Sequence, residues 1–177
     1  MIFTPQSREV CLVAVFVLGI AALQAPAQDA AITPQQMLSK AGRIFSGHVV
    51  AVQPVRSAEG NVASMRVSIH VEQAVRGVKA GETVAVDEWA GLWRNSGDRY
   101  RVGQRVMLFL YAPSRAGLTS PVGQDLGRLP VEGSRLVLST RQSQFWFQPR
   151  AGLLPRMQLK HFVRRMRDSL RQQNEGQ

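Results

Sequence analysis

The sequence predicts an all-β domain with a β-rich α+β flavour: a small antiparallel barrel or sandwich closed off by a C-terminal amphipathic helix. Three observations predict it. Runs rich in Val and Ile recur at roughly 10–20-residue spacing, divided by Gly, Pro, Asn and Ser turns. One run, Met65 to Val75, alternates apolar and polar residues with a period of two. Beyond Pro155 the apolar period changes to that of a helix.

Residues 1–27 read as a secretory signal peptide. Arg8 precedes an apolar run of 14 residues, Val10 to Leu23, within the ~7–15 of a signal core and short of the ~20 a bilayer span needs. Small side chains at Ala25 and Ala27 place the cut after Ala27. The expected location is the periplasm or the extracellular space, with no transmembrane segment after cleavage. Cys11, the one cysteine, lies in the leader, so the mature chain has no disulfide, thiolate metal site or cysteine nucleophile.

Residues 28–42 form an N-terminal segment with a short helix. Thr33-Pro34-Gln35-Gln36 supplies an N-cap, a proline at N1 and a glutamine at N3, and Gln35 to Ala41 makes two turns ended by Gly42. Residues 43–140 carry the strands. Arg43 to Val55 is β-branched and ends at Pro54; Ser57 to Asn61 is a turn. In the next strand Met65, Val67, Ile69 and Val71 face the core, and Arg66, Ser68, His70 and Glu72 face out. Gly77 to Gly81 turns into Glu82–Trp89, where Val84 and Val86 point inward. Residues 90–101 read as a long surface loop, and Arg105–Tyr111 as the central strand. Leu118–Val122, Gly127–Val131 and a small hairpin into Arg135–Thr140 complete the set.

Residues 141–173 comprise an aromatic segment, Gln144 to Gln148, and a basic helix. Leu159, Phe162, Val163, Met166 and Leu170 make one helical stripe; Arg156, Lys160, Arg164, Arg167 and Arg171 make a second, joined by Arg165. The stripe has three readings: packing on its own barrel, lying on an anionic membrane, or docking on another protein. Residues 174–177 are expected to be a disordered tail.

Charge is the other global feature. Loss of Arg8 and Glu9 with the leader turns 22 basic and 12 acidic residues into 21 and 11, so the net +10 persists. It fits attraction to anionic partners, and equally arginines scattered over a solvated surface. Nucleic acid is not the partner expected of an exported chain.

No catalytic constellation emerges. His48, His70 and His161 belong to no ligand-spaced motif; the two strand histidines can meet across a hairpin, without an identifiable third ligand. Asp87 and Glu88 are strand neighbours and point to opposite faces, a poor arrangement for acid/base work. No cofactor or metal is expected. The candidate binding residues are Trp89, Trp93 and Tyr100 with Arg94, Arg99 and Arg101 interleaved, where bases or sugars can stack and anions pair, together with Arg164, Arg165 and Arg167 on the helix.

The segments F-S-G-H-V-V-A-V, M-R-V-S-I-H-V-E-Q-A-V-R-G, A-G-E-T-V-A-V and V-G-Q-R-V-M-L-F-L-Y-A-P-S, within residues 43–140, resemble an uncharacterised group of exported bacterial proteins often encoded beside matrixin-like metalloproteases. Its layout is similar to the netrin-like barrel of tissue inhibitors of metalloproteinases, an OB-fold variant. The resemblance implies an OB-like barrel of five to seven strands. It carries over no functional residue, because those inhibitors bind the protease zinc through an N-terminal cysteine absent here. The expected function is an exported non-catalytic protein-binding module, a partner or modulator of a co-exported metalloprotease. The alternatives are a module for polyanions or anionic surfaces, and a hydrolase with an unrecognised site tested at Asp87 and Glu88.

Overall fold

The computed structural model describes residues 32–93, 99–147 and 157–175. The leader with its cleavage point, Arg94, and the Pro155–Arg156 entry to the last helix lie outside the described residues. Among the described residues, no helix is long and apolar enough to cross a membrane.

Helix α1 spans Pro34–Lys40. Its capping box is complete: the Gln36 amide donates to the Thr33 hydroxyl at 3.2 Å and the Thr33 amide to the Gln36 side-chain oxygen at 2.9 Å. Gly42 serves a different purpose from the helix stop expected of it. A Cβ there would come within 2.8 Å of the Ala112 backbone, so glycine permits the chain to pass close beside the exit of the central strand.

Strands β1 (Arg43–Arg56) and β2 (Val62–Arg76) form a long antiparallel hairpin. Pro54 does not end β1. It pairs with Met65 on a stretch where β4 no longer flanks β1, and a missing donor is tolerated there. Register shifts interrupt the ladder at four points, and such bulges bend and twist a strand. Gly47 lies at one of them, where a Cβ would sit 2.1 Å from the His70 carbonyl oxygen.

Strands β3 (Thr83–Trp89), β4 (Arg105–Leu110), β5 (Arg128–Glu132) and the two-residue β6 (Arg135–Leu136) complete a six-stranded antiparallel sheet of order β3-β2-β1-β4-β5-β6. The β-rich fold with a C-terminal helix is as expected, but the sheet is not closed into a barrel by a ladder. Residues 118–122, expected as a strand, instead span the gap with single bridges. Leu118 meets Asp87 of β3, and Pro121 meets Leu110 of β4. The segment changes partner midway and Pro121 lacks a donor, so no ladder builds.

Alternation sorts the core in two. Phe45, Val67, Ile69, Val71, Val84, Val86, Val106, Leu108 and Leu110 pack on one side. Ile44, Met107, Phe109, Leu129 and Val131 pack on the other, under the helices. Both faces of β1 and β4 are therefore buried, which explains why RVMLFL is continuously apolar.

The aromatic segment is itself a helix, α2 (Thr140–Phe147). It is started by a second capping box between Ser139 and Gln142. Trp146 donates to the Leu126 carbonyl at 3.1 Å and packs tilted against Phe109 and edge-on against Phe162, with ring centres 4.8 and 5.2 Å away. Helix α3 (Leu159–Glu175) buries Leu159, Phe162, Val163, Met166 and Leu170, its whole apolar stripe, in this cluster. Of the three readings of that stripe, packing on its own domain is the one realised. The helix also runs two residues into the expected tail; 176–177 lie outside the described residues.

Candidate functional site

The apolar alternation of β3 continues to a charged residue. Val84 and Val86 are followed on the same face by Glu88, which is fully buried. A carboxylate there requires a partner, and the returning end of loop 90–101 supplies two. Arg99 Nε donates to Glu88 Oε2 at 2.9 Å, and the Tyr100 hydroxyl donates to Oε1 at 3.1 Å. Arg99 and Tyr100 are buried as well. Burial, foremost, and then the Glu88 charge push the Tyr100 hydroxyl pKa well above its ordinary value.

Further contacts surround this strut. Arg128 of β5 donates to the Arg99 carbonyl, binds Asp125 at 3.0 Å, and sets its guanidinium 5.4 Å from the Tyr100 ring centre. Trp93, in a single 3-10 turn over Ala90–Trp93, packs against Tyr100 with ring centres 5.8 Å apart. The chain leaves β3 at Trp89 and returns at Arg99, and the strut pins both ends of that excursion.

Trp89 is left on the outside, 60% exposed. Its indole lies against Gly91, where a Cβ would fall 2.2 Å from the ring. Asp87, on the opposite face from Glu88, takes a bidentate grip from Arg66 at 2.8 and 2.7 Å. The Arg66 hydrogen bonds hold the Asp87 carboxyl below the usual carboxylate range, against the opposing effect of partial burial. Both oxygens of each carboxylate are thus engaged, and the two face apart, as the strand geometry predicts.

The expected binding residues therefore divide. Trp89 is a surface aromatic. Trp93 and Tyr100 are packing elements, and Arg99 is not available to an outside anion because Glu88 neutralises it in the interior. Arg101 is exposed and its amide donates to the Gln104 side chain. Arg164 and Arg165 point outward from α3, with Lys160 and Arg171 beside them. Arg167, also on the surface, ties α3 to β2 by donating to the Ala74 carbonyl at 2.6 Å.

Sequence reasoning missed two features. Glu88 falls in phase with Val84 and Val86, and that phase was the available signal for a buried carboxylate. For Arg128 the only local cue was Asp125 three residues before it; its other partners, Arg99 and Tyr100, lie almost thirty positions earlier. The two strand histidines do meet: His48 and His70 are cross-strand partners with ring centres 5.2 Å apart.

No family model matches the chain, and no curated protein or solved structure is significantly similar to it.

Proposed function

We propose that the chain is an exported, non-catalytic protein-binding module whose contact surface is the end of the sheet around Trp89. The observation that carries this reading is an exposed indole at the end of β3, held against Gly91 where the chain enters a loop whose two ends are fastened by a buried ion pair. A large exposed aromatic presented at a strand end beside a braced loop is the kind of residue that anchors protein interfaces. The resemblance to exported proteins encoded beside metalloproteases makes a co-exported metalloprotease the first partner to test.

The test is capture of the host's exported proteins on the immobilised chain at ~150 and ~500 mM salt, repeated with Trp89→Ala. One stoichiometric protein retained at the higher salt and lost from the variant is the expected result. Equal retention by the variant removes Trp89 from the interface.

A second reading rests on a separate observation. Lys160, Arg164, Arg165 and Arg171 are exposed on one helix, and none has a side-chain ion pair among the described residues. These four favour an anionic polymer or surface. With the apolar stripe of α3 buried, such contact is electrostatic. Duplex DNA as a probe polyanion should then bind with a log–log salt slope of about −3.6, near −0.9 for each of four cations. A flat titration rejects it.

A further inference from the structure

We propose that His48 and His70 form an open binding site for a divalent transition-metal ion of the zinc, nickel or copper type. The two residues are direct partners across the β1–β2 ladder, and their ring centres are 5.2 Å apart at a 47° tilt. Imidazole nitrogens ligate such ions at ~2.0–2.1 Å, so two rings sharing one tetrahedral ion have centres roughly 5 Å apart. The sheet already holds the pair at that span.

Both rings are on the solvent-facing side of the hairpin, with the His48 side chain 39% exposed, so an ion has access without any opening of the core. Alternation puts Ser68 and Glu72 on the same face as His70. The His48 Nδ1 lies 3.3 Å from Glu72 Oε1. An ionised carboxylate only accepts, so in the neutral ring this contact favours the Nδ1–H tautomer, whose Nε2 offers its lone pair to a metal. A carboxylate that orients a ligating imidazole in this way is a recurrent feature of metal sites.

Arg105 of β4, the register partner of His48 on its other side, holds both oxygens of Glu72. That grip makes Glu72 a positioning residue and not a ligand, and the two charges cancel. Among the described residues no three His, Cys, Asp or Glu side chains converge as a closed cage. The site is a two-nitrogen one whose remaining positions are open to water or to a donor from a second molecule.

The test is isothermal titration of the chain, without a polyhistidine tag, with nickel and with zinc chloride. His48→Gln, His70→Gln, the double variant and the control His161→Gln are titrated alongside, and circular dichroism verifies that each folds. Saturable one-to-one uptake is expected, weakened at least about tenfold by either single change, lost in the double variant and unaltered in the control. Nickel should also broaden the imidazole resonances of His48 and His70 and spare those of His161. The proposal is overturned if the unaltered chain takes up no metal saturably, or if the double variant keeps the affinity.

Discussion

Replacing Glu88 with alanine should be the most informative single change. It leaves the Arg99 guanidinium, only 6% exposed, as an uncompensated interior cation, and deprives the Tyr100 hydroxyl of its acceptor. Breaking a buried ion pair by removing one partner costs about 3–5 kcal/mol. The orphaned hydroxyl places the expected loss toward the upper end of that range. A domain of this size loses roughly 2–4 °C per kcal/mol, so Tm should fall by roughly 6–20 °C. The double variant Glu88→Met/Arg99→Met removes both charges and refills the space with apolar groups of comparable length, and should recover most of the loss. Urea unfolding followed by far-UV circular dichroism gives the free energies for the single and double variants. If Glu88→Ala unfolds within about 1 kcal/mol of the unaltered protein, or if the double variant is as unstable as the single one, the account of the pair as a buried structural strut is wrong. Partner capture by these variants then reports whether fastening the loop ends governs how Trp89 is presented.

Four further outcomes follow from the same contacts. Because the folded Tyr100 pKa is raised above its ordinary value of 10.0, the unfolded chain releases that proton first. Stability should therefore fall by about 1.4 kcal/mol per pH unit above pH 10 in alkaline urea titrations, a slope that Tyr100→Phe removes. At the acid end the sign reverses. For Glu72, burial acts to raise the pKa, but the Arg105 hydrogen bonds and charge, with His48, outweigh it. Asp87 is lowered by Arg66. Both contributions are present above the ordinary carboxylate range and should be lost as pH drops below about 4, with Asp87→Asn giving a shallower acid limb by circular dichroism. Gly47→Ala drives a Cβ to 2.1 Å from the His70 carbonyl oxygen and should cost about 3 kcal/mol, the upper end for overpacking, in urea unfolding. Phe162→Ala empties the fully buried centre between Phe109, Trp146 and Phe147, with an expected loss of about 3–5 kcal/mol by the same assay.

Local rules made the elements legible. The alternation of β2, the Thr33 capping box and the apolar stripe of α3 each depend on residues within a few positions of one another, and each reappears in the fold. Two misreadings occur where a distant partner decides. Leu118–Val122 has strand composition but serves two different strands in turn. Pro54 resembles a terminator until the absence of a β4 neighbour removes the need for its amide. The 144–148 aromatics read as an isolated cluster, although Ser139-Thr140-Arg141-Gln142 ahead of them is the same capping signature that was recognised at Thr33.

The arginines show most clearly why the site was harder to read than the fold. In the sequence, Arg99 and Arg101 are equivalent members of one loop, and Arg164 and Arg167 are equivalent members of one helix. The fold separates them by what lies opposite. Arg99 closes on Glu88, Arg66 on Asp87, Arg105 on Glu72, and Arg76 caps α1 through the Leu38 and Ala41 carbonyls. Each of these depends on where the fold places the partner, and a composition of +10 counts them no differently from the exposed cations of α3. A buried or paired guanidinium adds little to attraction of an outside anion, because its field is already cancelled at short range. Because the net +10 already subtracts the carboxylates of these pairs, pairing leaves the net charge unchanged and decides instead which cations face solvent; Lys160, Arg164, Arg165 and Arg171 do so together on α3. The exposed aromatic at Trp89 directly follows Glu88, the carboxylate that takes Arg99 into the interior.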